Sequence, residues 1–213
     1  MRKVLSQLKM QDGKLVCKDR SGKFRPLYKK QGSLDGACAT YSVIMDLLIL
    51  GTIYEKDTHI QVEHKSANTK KLFKVFCNDY GMHRGGQTFF KINKMLKESF
   101  SKIVNSVHKM TFGEGAVNAI VEEIDAGIPV VMSVANSQFS HAMLAIGYEK
   151  EDGQTTKILC LDPSGDYIHG RRRWNAEVAI KNNFKGEYST ILEGKKKDDS
   201  IVDLEDILII TKN

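Results

Sequence analysis

The segment from residue 36 to residue 50 constrains the fold of this chain more than any other segment. Apolar side chains lie on nearly all sides of the helix that it predicts: Ala39, Tyr41, Val43, Ile44, Met45, Leu47, Leu48 and Ile49. A helix that is apolar all round is buried, whereas a surface helix carries one apolar stripe. Gly51 follows the last of these residues and predicts the end of the helix. We therefore expect a central helix with the rest of the chain packed around it.

The hydrophobic period changes from helical spacing in the first half of the chain to strand-like runs in the second. Further helices are predicted over 69–80, 88–99 and 114–126. Strands are predicted over 101–110, 129–134, 142–148, 157–161, 174–180, 188–192 and 207–211, with a short hairpin within 3–29 and a charged turn at 195–199. Helices followed by strands predict an α+β fold with two structurally different halves, roughly 31–100 and 101–213, in a single domain of residues 1–213.

The composition is that of an ordinary folded protein, with 41% hydrophobic and 27% charged residues. No apolar run approaches the roughly 18 residues that cross a bilayer, so we expect no membrane partner. The net charge of +6 is dispersed without an aromatic–basic motif, so we expect no nucleic-acid partner. The N-terminal residues lack the apolar region of a secretory signal. We expect a cytoplasmic protein, or a segment that is delivered or secreted without a visible signal.

The four cysteines are widely scattered: Cys17, Cys38, Cys77 and Cys160. Their spacing predicts neither a disulfide framework nor a zinc finger, and it favours a reducing compartment. His59 and His64 are five residues apart and do not share one helical face, so we expect no metal site and no cofactor. We interpret Cys17, Cys77 and Cys160 as structural residues.

Cys38 lies at the predicted first turn of the central helix, after the small residues Gly36 and Ala37. A thiol becomes a good nucleophile when it ionises, and the positive end of a helix lowers its pKa. Free cysteine is also a common core residue, and the position of Cys38 alone fits either role.

His141 stands at the head of an apolar strand, and Asp162 follows the end of the next strand. If the two strands pair as a hairpin, the two side chains are neighbours across the sheet. The carboxylate can then orient the imidazole, as a catalytic histidine requires. The alternatives are a strand-end histidine with ordinary partners and a turn aspartate before Pro163. Gln31, seven residues before Cys38, is a candidate oxyanion donor or an ordinary loop residue.

The order Gln, Cys on a helix, His on a strand, then Asp resembles that of the papain-like cysteine peptidases. The resemblance rests on residues 31–39, on 127–134 (a G-x-P-V strand) and on 141–148 (an H-A-x-x-x-x-G-Y strand). It implies a two-lobed fold in which Cys38 is the nucleophile, His141 the general base and acid, Asp162 the third member and Gln31 the oxyanion donor. The implied substrate is a protein or peptide.

Some positions differ from papain itself. Ala39 replaces an aromatic residue, and the third member is Asp162 followed by Pro163. The chain is more similar to the compact bacterial peptidases that process double-glycine leader peptides. Few residues precede Gln31, so we expect either a mature form or restraint by a separate inhibitor or by delivery into a target cell.

Two other functions fit the same residues. Transglutaminases and arylamine acetyltransferases use Cys, His and Asp in this order, so a thiol-dependent acyltransferase is one alternative. A non-catalytic binding module on the same fold is the other. The run from Arg171 to Arg173 beside Trp174 predicts a solvated loop or a basic substrate-binding edge, and 81–86 predicts a glycine-rich turn.

Overall fold

A computed structural model of the protein describes residues 1–32, 36–58, 66–76, 86–166, 172–181, 185–192 and 195–213. Its helices are α1 (Cys38–Ile49), α2 (Ala67–Lys74), α3 (Phe89–Phe100) and α4 (Gly113–Asp125), with a 3₁₀ turn at Glu55–Thr58. The strands are β1 (Arg2–Val4), β2 (Leu8–Gln11), β3 (Lys14–Lys18), β4 (Phe24–Pro26), β5 (Val104–Lys109), β6 (Val130–Ala135), β7 (Ser140–Glu151), β8 (Gln154–Leu161), β9 (Ala176–Ile180), β10 (Lys185–Leu192) and β11 (Lys195–Lys212). The His59–His64 pair, Cys77, the turn at 81–85 and Arg171 lie outside the described residues. The described helices and strands form a mixed α/β fold.

Helix α1 is buried, as its apolar pattern predicts. Nine of its twelve residues are buried, and the helix packs against β7 and β6. The chain leaves α1 through Gly51, whose φ of 63° is easily adopted by glycine. The amide groups of Gly51 and Thr52 donate to the last carbonyls of the helix, on Leu48 and Leu47.

The larger sheet contains a closed ring of six antiparallel strands. Strand β7 pairs with β6 and β8, and the pairing continues from β8 through β9, β10 and β11 back to β6. Strand β11 closes the ring, since its first half pairs with β10 and its second half with β6. Strand β1 pairs with β7 and β5 with β11. Helix α4 packs against β11 and β7.

The hairpin joining β7 and β8 forms as the sequence predicts. Leu144 lies opposite Leu161, and the turn contains Asp152 and Gly153, both with positive φ. This turn geometry matches the right-handed twist of the two strands. The head of β7 and the end of β8 therefore lie side by side.

The predicted short hairpin within 3–29 is present, since β2 and β3 pair antiparallel through the turn at Asp12 and Gly13. The segment contains two further strands: β1 joins the larger sheet, and β4 extends the hairpin to a separate three-stranded sheet. At the turn before β4, the amide of Asp19 donates to the carbonyl oxygen of Lys23. One local prediction is wrong, because the predicted charged turn at 195–199 is the first part of β11. Strand pairing uses the backbone, so a run of charged residues does not prevent it.

The described residues contain no helix that is long and apolar enough to span a membrane.

Gly147 gives β1 room to pair with β7. A Cβ atom at this position would lie 2.4 Å from the carbonyl oxygen of Lys3 and 3.0 Å from the Cα atom of Val4. The overlap is with backbone, which cannot move without separating the two strands.

We expect Gly147→Ala to lower the free energy of unfolding by about 1–3 kcal/mol, the usual cost of an overpacked site. Urea denaturation measures this loss, and faster amide exchange of Lys3 and Val4 would locate it at β1. Gly86→Ala is the control, because its Cβ atom would meet one carbonyl at an ordinary 3.8 Å. Equal stability of the two variants would contradict this account of Gly147.

Candidate active site

Helix α1 is fastened to β7 at the residue that follows His141. The amide of Ala142 donates to Sγ of Cys38 at 3.4 Å, and the Ser42 hydroxyl donates to the carbonyl oxygen of Ala142 at the same distance. Cys38 and Ser42 are four residues apart and share one helical face. These two contacts place Cys38, the first residue of α1, beside the head of β7.

His141 and Asp162 meet across the β7–β8 hairpin, as their positions in the sequence predict. Nε2 of His141 lies 2.7 Å from Oδ1 of Asp162. Asp162 is 0% exposed, and His141 is half-buried. Because Nε2 bonds to the carboxylate, Nδ1 is the nitrogen that remains for the hydrogen bond between His141 and Cys38. The imidazole therefore connects the thiol to the buried carboxylate.

Both oxygens of the Asp162 carboxylate receive hydrogen bonds. Oδ1 accepts from the backbone amide of Ser164 at 2.8 Å and from its hydroxyl at 2.7 Å, in addition to the His141 contact. Oδ2 accepts from the hydroxyl of Tyr188. The Ser164 hydroxyl is also 3.2 Å from Nε2 of His141. These donors replace the hydrogen bonds from water that the carboxylate lost on burial.

The backbone of Asp162 is held separately, by Asn175. The Asn175 side chain accepts from the Asp162 amide at 2.8 Å and donates to the Asp162 carbonyl at 2.9 Å. The hydroxyl of Tyr28 is 2.7 Å from the same carbonyl oxygen. The aspartate is thus fixed at its main chain as well as at its side chain.

Sequence reasoning did not find the roles of Ser164, Asn175, Tyr188 and Tyr28. One signal was present, because Asp162 is followed by Pro163, Ser164 and Gly165, and an aspartate in such a run often accepts the amide two residues later. Nothing marked the other three, which are distant in sequence from the residues that they contact.

The charges of the site stabilise one another. Burial alone raises the pKa of the Cys38 thiol, but the hydrogen bond and positive charge of His141, with the amides of Ala142 and Ala39, lower it below 9.0. Burial opposes protonation of His141, yet Asp162 and Cys38 raise its pKa to about 10. The hydrogen bond and positive charge of His141, together with hydrogen bonds from Tyr188 and Ser164, hold the pKa of Asp162 below its usual value despite burial. The arrangement favours the charged form of all three groups: the Cys38 thiolate, the His141 imidazolium and the Asp162 carboxylate.

Gln31 approaches the site through its backbone. Its amide donates to the carbonyl oxygen of Pro163 at 2.9 Å, one residue beyond Asp162. Its side-chain Oε1 is buried and has no hydrogen-bond partner among the described residues. The loop that carries Gln31 is therefore tied to the loop that follows Asp162.

The other described cysteines are in different surroundings. Burial raises the pKa of Cys17 to about 12, and burial together with Asp162 raises that of Cys160 above its usual range. Cys38 alone among these three has a lowered pKa. Within the described ranges, no three His, Cys, Asp or Glu side chains are grouped so that they could hold a metal ion.

A mixed α/β fold whose buried helix begins with a cysteine, and whose paired strands carry the partner histidine and aspartate, is the arrangement of the papain-like cysteine peptidases. The chain belongs to the Peptidase_C39 like family, whose model matches residues 23–194. This match confirms the relationship to the papain-like cysteine peptidases that the motifs predict. No curated protein matches the chain.

We expect Cys38 to be alkylated by limiting iodoacetamide at neutral pH at least about 10-fold faster than Cys17 and Cys160, because a thiolate is the reactive form. Since its pKa is lowered, Cys38 should keep this advantage as the pH falls from 9 towards 7, whereas Cys17 stays slow throughout. Peptide mass spectrometry measures the label at each cysteine.

His141→Ala should remove the advantage of Cys38. The matched control is His108→Ala, since His108 lies 3.0 Å from Asp206 but outside the site. Similar labelling rates for Cys38, Cys17 and Cys160 in the wild-type protein would contradict an activated thiol.

Proposed function

We propose that this protein is a cysteine peptidase that hydrolyses peptide or isopeptide bonds, with Cys38 as nucleophile, His141 as general base and acid, and Asp162 as the group that orients His141. The observation that carries the proposal is the 2.7 Å contact between Nε2 of His141 and a fully buried carboxylate, together with the hydrogen bond between the same imidazole and Cys38. A peptidase family match supports the same conclusion.

The resting state in this proposal is an ion pair between the Cys38 thiolate and the His141 imidazolium. The lowered pKa of Cys38 and the raised pKa of His141 both favour it. The backbone amides at the start of α1, among them that of Ala39, add positive potential at the sulfur. Asp162 keeps the imidazolium in the orientation that faces the thiolate.

In the first half of the reaction, the thiolate attacks the carbonyl carbon of the scissile bond and the carbonyl oxygen becomes an oxyanion. His141 then gives its Nδ1 proton to the leaving amine as the C–N bond breaks, which leaves a thioester on Cys38. In the second half, His141 takes a proton from water, and the hydroxide attacks the thioester. The acid product leaves, and the thiolate and imidazolium are restored.

The oxyanion requires donors near Cys38. We propose that the side-chain amide of Gln31 and the backbone amide of Cys38 supply them. The tie between Gln31 and Pro163 supports this role, because it anchors the Gln31 loop beside the residue that follows Asp162. The Cys38 amide belongs to the first turn of α1, where backbone amides have no partner within the helix.

We also propose that the protein is two-lobed, with α1 to α3 in one lobe and the ring of strands in the other. Cys38 would come from the first lobe and His141 and Asp162 from the second, so that a protein or peptide substrate lies along the boundary between them. The contact of α1 with β7 is the part of that boundary closest to the proposed chemistry.

Incubation with a proteome-derived peptide library in ¹⁸O-labelled water tests the reaction. We expect new C-termini that carry ¹⁸O, because water attacks the acyl-enzyme, and we expect none with Cys38→Ala. Adding an amine such as ethylamine separates the alternatives. New C-termini that are mainly amine-capped would identify an acyltransferase, and the absence of any product with a reactive Cys38 would favour a binding module.

Gln31→Ala should reduce kcat by on the order of 10²–10³-fold, the usual effect of losing one oxyanion donor. The variant should keep the wild-type rate of Cys38 alkylation by iodoacetamide, because alkylation forms no oxyanion. Gln7→Ala is the matched control, since the Gln7 side chain donates to the Gly127 carbonyl away from the site. An unchanged kcat in Gln31→Ala would remove Gln31 from the mechanism and leave the other three residues in it.

A further inference from the structure

Tyr188, on β10, contacts both members of the His141–Asp162 pair. Its hydroxyl donates to Oδ2 of Asp162, and its ring centroid is 5.9 Å from that of His141, with the planes inclined at 43°. On another side, the ring is 6.4 Å from that of Phe139, two residues before His141. The Tyr188 side chain therefore contacts both the carboxylate of Asp162 and the imidazole of His141.

The two oxygens of Asp162 have different partners. Oδ1 accepts from His141 and Ser164, whereas the hydrogen bond to Oδ2 within the described part of the chain comes from Tyr188. Because Asp162 is 0% exposed, bulk water cannot reach Oδ2 in this arrangement. A buried charge that loses its donor keeps the full cost of desolvation.

The protein holds Tyr188 and Asp162 on one scaffold. The amide of Ile191, three residues after Tyr188 on β10, donates to the carbonyl oxygen of Asn175 at 2.8 Å. Asn175 in turn binds the main chain of Asp162 through its side chain. Asn175 thus binds both β10 and Asp162, and it keeps the Tyr188 hydroxyl within hydrogen-bonding distance of Oδ2.

We infer that Tyr188 is a positioning residue for the proposed peptidase reaction: its hydroxyl holds Asp162 in the ionised form, and its ring covers the His141–Asp162 hydrogen bond. The inference rests on the proposed function. It assigns Tyr188 no contact with substrate, because Tyr188 acts through Asp162 and His141.

The sign of the pH effect follows from the groups that face Asp162. These are His141 from β7, Cys160 at the end of β8 and Tyr188 from β10, with Cys38 on α1 beyond His141. Asp162 has a lowered pKa, so its support of the imidazolium is present above that pKa and is lost as the pH falls through it. Losing a donor to the carboxylate raises the pKa of Asp162. Without the Tyr188 hydroxyl, Asp162 should therefore stop stabilising the His141 imidazolium at a higher pH.

The test is the rate of Cys38 alkylation by iodoacetamide as a function of pH, in the wild-type protein and in Tyr188→Phe, which keeps the ring and removes the hydroxyl. We expect the acid limb of the Tyr188→Phe profile to move to higher pH by on the order of one unit, as one charge-assisted hydrogen bond is lost. Tyr148→Phe is the matched control, because it removes a hydroxyl that donates to Asp125 at 2.7 Å, away from the site. Its profile should match the wild type.

A second comparison asks whether Tyr188 acts through Asp162. In an Asp162→Asn background, adding Tyr188→Phe should shift the acid limb no further, since the ionisable partner is gone. A shift of equal size in both backgrounds would overturn the inference. So would a Tyr188→Phe profile that coincides with that of Tyr148→Phe.

These outcomes are distinct from failure of the proposed function. If Cys38 is reactive and depends on His141 but the Tyr188→Phe profile is unchanged, the inference about Tyr188 fails and the triad stands. If wild-type Cys38 shows no enhanced reactivity, both fail.

Discussion

Asp162 is a carboxylate without exposed surface, and much of the surrounding structure serves to keep it charged. Moving an isolated carboxylate out of water is costly, so the group would take up a proton unless several donors faced it. His141, Ser164 and Tyr188 supply those donors from β7, from the loop after β8 and from β10. Because the donors come from separate elements, the charge of Asp162 depends on the closed ring of strands being intact.

Strand β7 connects this carboxylate to the thiol. It pairs with β6, β8 and β1 in the sheet and contacts α1 at Ala142, so its position is constrained by three strands and by the central helix. His141 lies at its head, one residue before the docking point of α1. A displacement of α1 along β7 would therefore separate Cys38 from His141 without breaking either element. The Ser42 contact with the Ala142 carbonyl opposes such a displacement.

Cys38, His141 and Asp162 illustrate what could be predicted from the sequence. The predicted buried helix and the predicted hairpin are both present, and the contact between His141 and Asp162 follows from strand pairing alone. The relationship to papain-like cysteine peptidases was also evident from short motifs and is confirmed by the family match. Local patterns of apolar residues and turn residues were sufficient for these conclusions, because each involves elements that are consecutive or have a strong period.

The wrong prediction of a turn at 195–199 and the missed residues have a different origin. The first part of β11 is a run of charges with no strand signal, and it pairs because the edge of β10 is there to accept its backbone. Tyr188 and Asn175 contact Asp162 across the ring of strands, although nothing in their own sequence neighbourhoods indicates a partner. By itself, the sequence determined the change from helices to strands, the buried central helix and the neighbouring positions of His141 and Asp162, since these depend on periodicity and on a short turn. The closure of the strand ring and the full set of donors around Asp162 were decided by the tertiary structure, because they depend on which distant strands meet.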